Sequence, residues 1–270
     1  MKHLWVLATL TSLLGVARGA NATPRPLPFT YQHEQLARGD AEFEQFGDFT
    51  LTRATEYPSG EPGYYGLYQF QTEFEYGITD RLELGLYFTY APAAATGYSD
   101  TARSFNGNGF KQRLRYQLAP TGVWPIDVSV YGELAENERE LEIEAKIILQ
   151  RRIDRLRIIA NLVGEQEFYF NGKKDLVFAP SAGITFEASP IVQPGFEWWM
   201  RAEYPLEDPP HPRPFELGPH HYVGPALLLS FGRLWWSSGA YLRVSEHGHS
   251  MQRGESAGPI WFRTVVGFGL

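Results

Sequence analysis

From residue 66 to 90 the chain reads GLYQFQTEFEYGITDRLELGLYFTY, and its side chains fall into two alternating sets. Tyr68, Phe70, Thr72, Phe74 and Tyr76 alternate with Gln69, Gln71, Glu73 and Glu75. After the turn GITD, Leu82, Leu84, Leu86, Phe88 and Tyr90 alternate with Arg81, Glu83, Gly85, Tyr87 and Thr89. A period of two puts each set on one side of a strand, so the segment predicts a hairpin with one apolar and one charged face. The pattern returns almost to the last residue. Ile126, Val128, Val130 and Leu134 oppose Asp127, Ser129, Tyr131 and Glu133; Leu141, Ile143, Ala145, Ile147 and Leu149 oppose Glu142, Glu144, Lys146 and Gln150. Leu156, Ile158, Ala160 and Leu162 oppose Arg155, Arg157 and Asn161, and the last strand sets Ile260, Phe262, Thr264, Val266, Phe268 and Leu270 against Trp261, Arg263, Val265, Gly267 and Gly269.

Twelve candidate strands result: 41–53, 66–77, 81–91, 109–118, 124–134, 139–150, 154–164, 175–188, 194–204, 221–231, 234–244 and 259–270. A soluble sandwich would show the same alternation, its apolar faces covered by a second sheet. The connections separate the two. Links after strands 2, 4, 6, 8 and 10 are short (GITD, APTGV, QRRI, SPIVQ, GR), whereas those after 1, 3, 7, 9 and 11 are mostly long, for example 92–108 and 205–220. AENE, after strand 5, is the exception. Outer-membrane barrels have short periplasmic turns and long outer loops. Aromatic residues at both ends of strands 2 and 9 suit the two headgroup levels. The predicted fold is an all-β, transmembrane antiparallel barrel of about 12 strands over 41–270. Pro180 and Pro225 inside candidate strands leave 10 or 14 strands open, because each removes a ladder hydrogen bond.

Residues 1–22 carry Lys2, an apolar stretch from Leu4 to Val16 and the A-x-A site Ala20-Asn21-Ala22, the pattern of a cleaved export signal. Residues 23–40 are Pro-rich, then polar, and read as a periplasmic lead-in with little order. The leader holds two of the 24 basic residues and no acid, so the remainder carries 22 Lys and Arg against 31 Asp and Glu. That balance excludes nucleic acid as an expected partner. With no cysteine, neither disulfides nor thiolate chemistry are available. The expected partners are outer-membrane lipid, the barrel-assembly machinery and a small-molecule solute; no cofactor and no catalytic residue is expected.

The inward-facing set is heavily charged. Candidate lumen and selectivity residues are Glu73, Glu75, Arg81, Glu83, Lys111, Arg113, Arg115, Asp127, Glu142, Glu144, Lys146, Arg155, Arg157 and Arg201. Acidic and basic strands alternate, so cross-strand ion pairs are expected inside. A narrow charge-lined conduit and a lumen plugged by its own ion pairs, as in a structural or adhesive barrel, fit these residues equally. Five of the seven histidines, His211, His220, His221, His247 and His249, fall in or beside two predicted outer loops. Clustered imidazoles bind Zn²⁺ or Cu²⁺, and His249-Ser250 raises a hydrolase at the outer rim. Neither motif has nominated partners, and a secreted soluble β-protein is the remaining rival.

The hairpin Gly77-Ile78-Thr79-Asp80-Arg81-Leu82-Glu83-Leu84-Gly85, followed by GFKQRLRYQL, resembles the Gram-negative outer-membrane barrel family labelled "MetA-pathway of phenol degradation" or putative transporter. The resemblance covers about a tenth of the chain. It implies an outer-membrane channel or uptake protein for hydrophobic or aromatic compounds and carries over no catalytic residue. Outer-membrane barrels usually end on an aromatic residue, whereas this sequence ends Phe268-Gly269-Leu270.

Overall fold

A computed structural model describes residues 22–51, 66–90, 109–137, 140–207, 217–245 and 258–270. Residues 1–21 and most of the long loops, with His211, His247, His249 and Ser250, lie outside the described residues. The strands are β1 (Ala41–Leu51), β2 (Gly66–Thr79), β3 (Leu82–Tyr90), β4 (Gly109–Gln117), β5 (Asp127–Asn137), β6 (Glu140–Ile153), β7 (Leu156–Tyr169), β8 (Lys174–Phe178), β9 (Ser181–Phe186), β10 (Val192–Glu207), β11 (Leu217–Phe231), β12 (Leu234–Arg243) and β13 (Ile260–Gly269). Every neighbouring pair is antiparallel, and β1 pairs with β13, closing the sheet on itself.

Thirteen segments make twelve staves. β8 and β9 both lie between β7 and β10 and form one stave, interrupted at Ala179-Pro180. The Ala179 N–H still reaches the Val163 carbonyl at 3.1 Å and the Pro180 carbonyl accepts from Met200 at 3.0 Å, so the wall stays closed across the break. Pro225 sits inside a continuous β11; pairing to β12 skips Gly224 and Pro225 without changing register. Both prolines therefore belong to the twelve-stave count. Tight turns at Asp80-Arg81, Asp154-Arg155 and Gly232-Arg233 join strands at one end; Asp154 and Gly232 adopt positive φ (52° and 72°). The link after β7 is shorter than its sequence suggests, because β7 runs on to Tyr169 and only 170–173 remain.

Burial alternates along the staves in the inverse of a soluble protein. Phe88, Ile147, Leu162 and Phe262 project from the outer surface, Phe88 with 61% of its area exposed, while Glu73 and Glu197 on the inside are fully buried. A single closed sheet has no second layer for its outer face, so those rings and branched chains have only lipid to cover them. This removes the soluble sandwich.

Residues 23–40 are ordered inside the barrel, contrary to the little order their composition suggests. Glu83 accepts the Leu36 N–H at 2.8 Å and Gln150 the His33 N–H at 3.1 Å. Asn161 pairs with both N–H and C=O of Tyr31 at 2.7 and 2.9 Å, and Glu197 accepts the Thr30 N–H at 2.6 Å. The segment leaves β1 at the short-turn end, reaches mid-barrel around Phe29–Tyr31, and returns to Thr23 beside β1. Buried backbone groups require partners; an irregular chain finds them here because the barrel wall presents polar side chains inward. Leu27 lies against Ile159 and Ala226. Gly183 and Gly195 make its space: a Cβ at either position would sit 2.6 or 3.1 Å from a Leu27 methyl.

Replacing an outward mid-stave residue tests the lipid-facing assignment. Ile147→Arg is expected to cost about 2–4 kcal/mol of folding stability in lipid vesicles. An unchanged unfolding midpoint would place Ile147 away from the hydrocarbon.

Candidate functional site

Two charged layers cross the lumen. In the half nearer the short turns, Arg113 is almost fully buried between β2 and β3 carboxylates. Its Nε donates to Glu73 and to the Tyr87 hydroxyl, each at 2.8 Å, its Nη1 donates to Glu83 at 2.7 Å, and it also pairs with Glu75. Arg115 donates to the same Glu83 oxygen at 2.8 Å. The N-terminal segment adds Arg25, 2.8 Å from Glu44 and 3.5 and 3.6 Å from Glu73 and Glu75, with its guanidinium 4.0 Å above the Tyr31 ring. Glu44, Glu73 and Glu75 come close enough together to suggest a cation site. Arg25 and Arg113 already occupy it, as guanidinium groups.

Beyond Phe29 and Tyr31, toward the long-loop end, lies a cavity of about 260 Å³. One wall is acidic. Cross-strand register sets Glu133 opposite Glu144 and Glu144 opposite Glu165, with Glu142 opposite Glu167 in the next inward row. Like charges directly opposed on a sheet repel. Lys111 bridges Glu133 and Glu142 at 3.1 and 3.7 Å, Lys146 meets Glu144 at 2.9 Å, and Arg201 reaches Glu165, Glu167 and Glu203 at 3.4, 2.7 and 2.8 Å. Six carboxylates thus share these three cations. The other wall is aromatic: Trp199 stacks on Phe29 (4.3 Å) and Tyr222 (4.0 Å) and meets Trp261 edge-on at 5.1 Å.

Most of the residues predicted from alternation point inward, but not all. Arg81 is exposed in the β2–β3 turn, donating to the Leu118 carbonyl over the Tyr116 ring. Arg155 is exposed in the β6–β7 turn. Neither faces the lumen: the strands end two residues before these arginines, at Thr79 and Ile153, and each arginine falls in a two-residue turn. Asp127 points inward but caps the turn before β5, accepting the Gly122 N–H at 2.6 Å. Arg157 holds the N-terminal segment through Gln32 at 2.7 Å and Glu34 at 3.6 Å. His220 and His221 are consecutive in β11 and so face opposite ways; His220 lines the cavity while His221 stacks on Trp198 and accepts its indole N–H at 3.2 Å. They cannot share one ion.

Several residues of these layers escaped sequence reasoning. Glu165 and Glu167 lie past the predicted end of strand 7, and Glu42 and Glu44 alternate with Phe43 in strand 1, a readable phase. Arg25, Phe29 and Tyr31 carry no periodicity that could signal them.

Comparison with solved structures places the architecture. The barrel resembles the COG4313 outer membrane channel from Pseudomonas putida F1, with a TM-score of 0.54, 11% identity, and coverage of 88% of this chain and 98% of that one. It also resembles the KdgM porin, with a TM-score of 0.50, 8% identity, and coverage of 84% and 98%. The fold is that of the outer-membrane β-barrels. No family model and no curated protein matches the chain, so the phenol-degradation resemblance rests on the hairpin motif alone.

Removing Arg113 would leave buried Glu73 and Glu75 with only the more distant Arg25, at 3.5 and 3.6 Å, and Glu83 with only Arg115, as ion-pair partners among the described residues. Arg113→Ala is therefore expected to lose about 3–5 kcal/mol of stability, read from the unfolding midpoint in detergent. A loss below about 1 kcal/mol, the surface-pair range, would show the network to be solvated.

His33 offers a pH test. It is buried, and its Nδ1 lies 2.8 Å from the Ser129 hydroxyl. Burial lowers its pKa below the ordinary value near 6.5, outweighing the raising influence of Asp127, Glu34 and the Ala119 backbone, with Arg115 lowering it further. The docked segment therefore favours neutral imidazole, and its stability falls as pH drops below about 6.5. The stability difference between the wild type and His33→Gln should shrink by up to about 1.4 kcal/mol per pH unit below that point. A pH-independent difference would contradict this.

Proposed function

We propose that this chain is an outer-membrane channel for small solutes bearing a cationic group and an apolar or aromatic face, its lumen narrowed from the short-turn end by residues 23–40. The observation that carries this reading is the cavity with one carboxylate-rich wall and one aromatic wall, enclosed by a barrel whose outer face is apolar. Carboxylates that outnumber the cations joining them favour mobile cations over anions, and pore charge rings set ion preference. Stacked aromatic rings add contact for a cation or a flat apolar group. Both chemistries line the cavity on the long-loop side of Phe29 and Tyr31.

Arg113 and Arg115 are consumed by Glu73, Glu75 and Glu83, so selectivity in this reading falls to Glu133, Glu144 and Glu165 rather than to the basic strand β4. The density of hydrogen bonds holding residues 23–40 supports a second reading, a structural barrel with a permanently blocked lumen.

Planar-bilayer recording separates the two. The wild type should conduct weakly with cation preference, a variant lacking residues 23–36 should conduct more, and Glu144→Gln with Glu165→Gln should shift reversal potentials toward anions. Absence of conductance in the wild type and in the deletion variant would retire the channel and favour the blocked barrel.

A further inference from the structure

Glu42 is fully buried on the inner face of β1, at the seam where the first strand meets the last. One of its oxygens accepts the Trp235 indole N–H; the other accepts the Thr23 backbone N–H at 2.8 Å. Both donors are neutral. The nearby Arg25 guanidinium is committed to Glu44, Glu73 and Glu75, and among the described residues no ion pair joins Glu42 to a cation. A buried carboxylate held only by neutral donors is costly, and a cationic partner relieves much of that cost.

Thr23 follows Ala20-Asn21-Ala22, the A-x-A site read above as the end of the export signal. We propose that hydrolysis of the Ala22–Thr23 peptide bond by the export peptidase creates the missing cation. Water adds across the amide: the hydroxyl goes to the Ala22 carbonyl carbon, a proton to the Thr23 nitrogen, and the resulting amine takes a second proton from solvent. The Thr23 α-ammonium then forms an ion pair with Glu42 inside the barrel.

The surroundings are shaped for this. Gln32 Nε2 donates to the Pro24 carbonyl at 3.0 Å and the Thr23 carbonyl at 3.4 Å, fixing the chain's direction. Opposite β1, β13 carries Gly267 and Gly269, where side chains would collide with Trp235 and crowd the backbone of Ala22. Glu42 is therefore the receptor for the mature N-terminus, and the pair staples the returning segment to the barrel seam. The inference is independent of whether the lumen conducts.

The test uses the processed protein purified from the outer membrane. Intact mass and N-terminal sequencing should give Thr23 as the first residue. Reductive methylation of the α-amine across pH should show it titrating above the free range of about 7.7–8.0, and labelling should speed up about tenfold in Glu42→Gln for each unit of pKa lost. A one-alanine extension before Thr23, displacing the ammonium, should label like Glu42→Gln. Should Glu42→Gln fail to assemble, the wild-type titration still decides. A different first residue, an α-amine titrating within the free range, or equal labelling of wild type and Glu42→Gln would overturn the proposal.

Discussion

Arg25 and Arg113 hold Glu44, Glu73, Glu75 and Glu83 together in the barrel interior, and the rest of the molecule is arranged around the need to keep those charges matched. With apolar residues turned outward, every charged residue of the alternating pattern must go inside. An ionised group with neither water nor a partner there would cost several kcal/mol. Cross-strand pairing meets most of that demand. Charge on β2, β3 and β4 is complementary in register, so guanidinium and carboxylate groups meet within 2.7–2.8 Å.

The wall does not balance itself everywhere, and the imbalance gives the N-terminal segment its place. β1 and β2 bring more carboxylates to the layer around Arg113 than β4 brings arginines. Arg25 supplies a cation from outside the barrel sequence, and polar wall residues such as Asn161, Gln150 and Glu197 satisfy the backbone that carries it. On the far side of Phe29 and Tyr31 the surplus of carboxylate remains unfilled by the chain. One electrostatic excess is thus answered by an internal strap and the other is left facing a cavity.

Alternation of side chains made the staves legible because lipid outside and charge inside impose a strict period of two on every strand. Twelve staves could be counted, and even the two anomalous prolines lay inside the count, Pro180 as a break within one stave and Pro225 within a continuous strand. Errors gathered at strand ends. Arg81 and Arg155 obey the inward phase by position but fall in turns, and Glu165 and Glu167 lie beyond an end placed too early.

The order of apolar and charged residues along this chain by itself determined an antiparallel barrel of about twelve staves and which side of the wall most strand residues face, since these follow from local geometry repeated at every step. Only the tertiary structure decided that residues 23–40 fold back inside the barrel, that the count is twelve and that Glu133, Glu144 and Glu165 form one acidic row. The first depends on contacts between residues far apart in the chain, 168 positions for Phe29 and Glu197, and the last on the register of β5, β6 and β7. Such contacts are set by the barrel's closure and strand register, which no local pattern encodes.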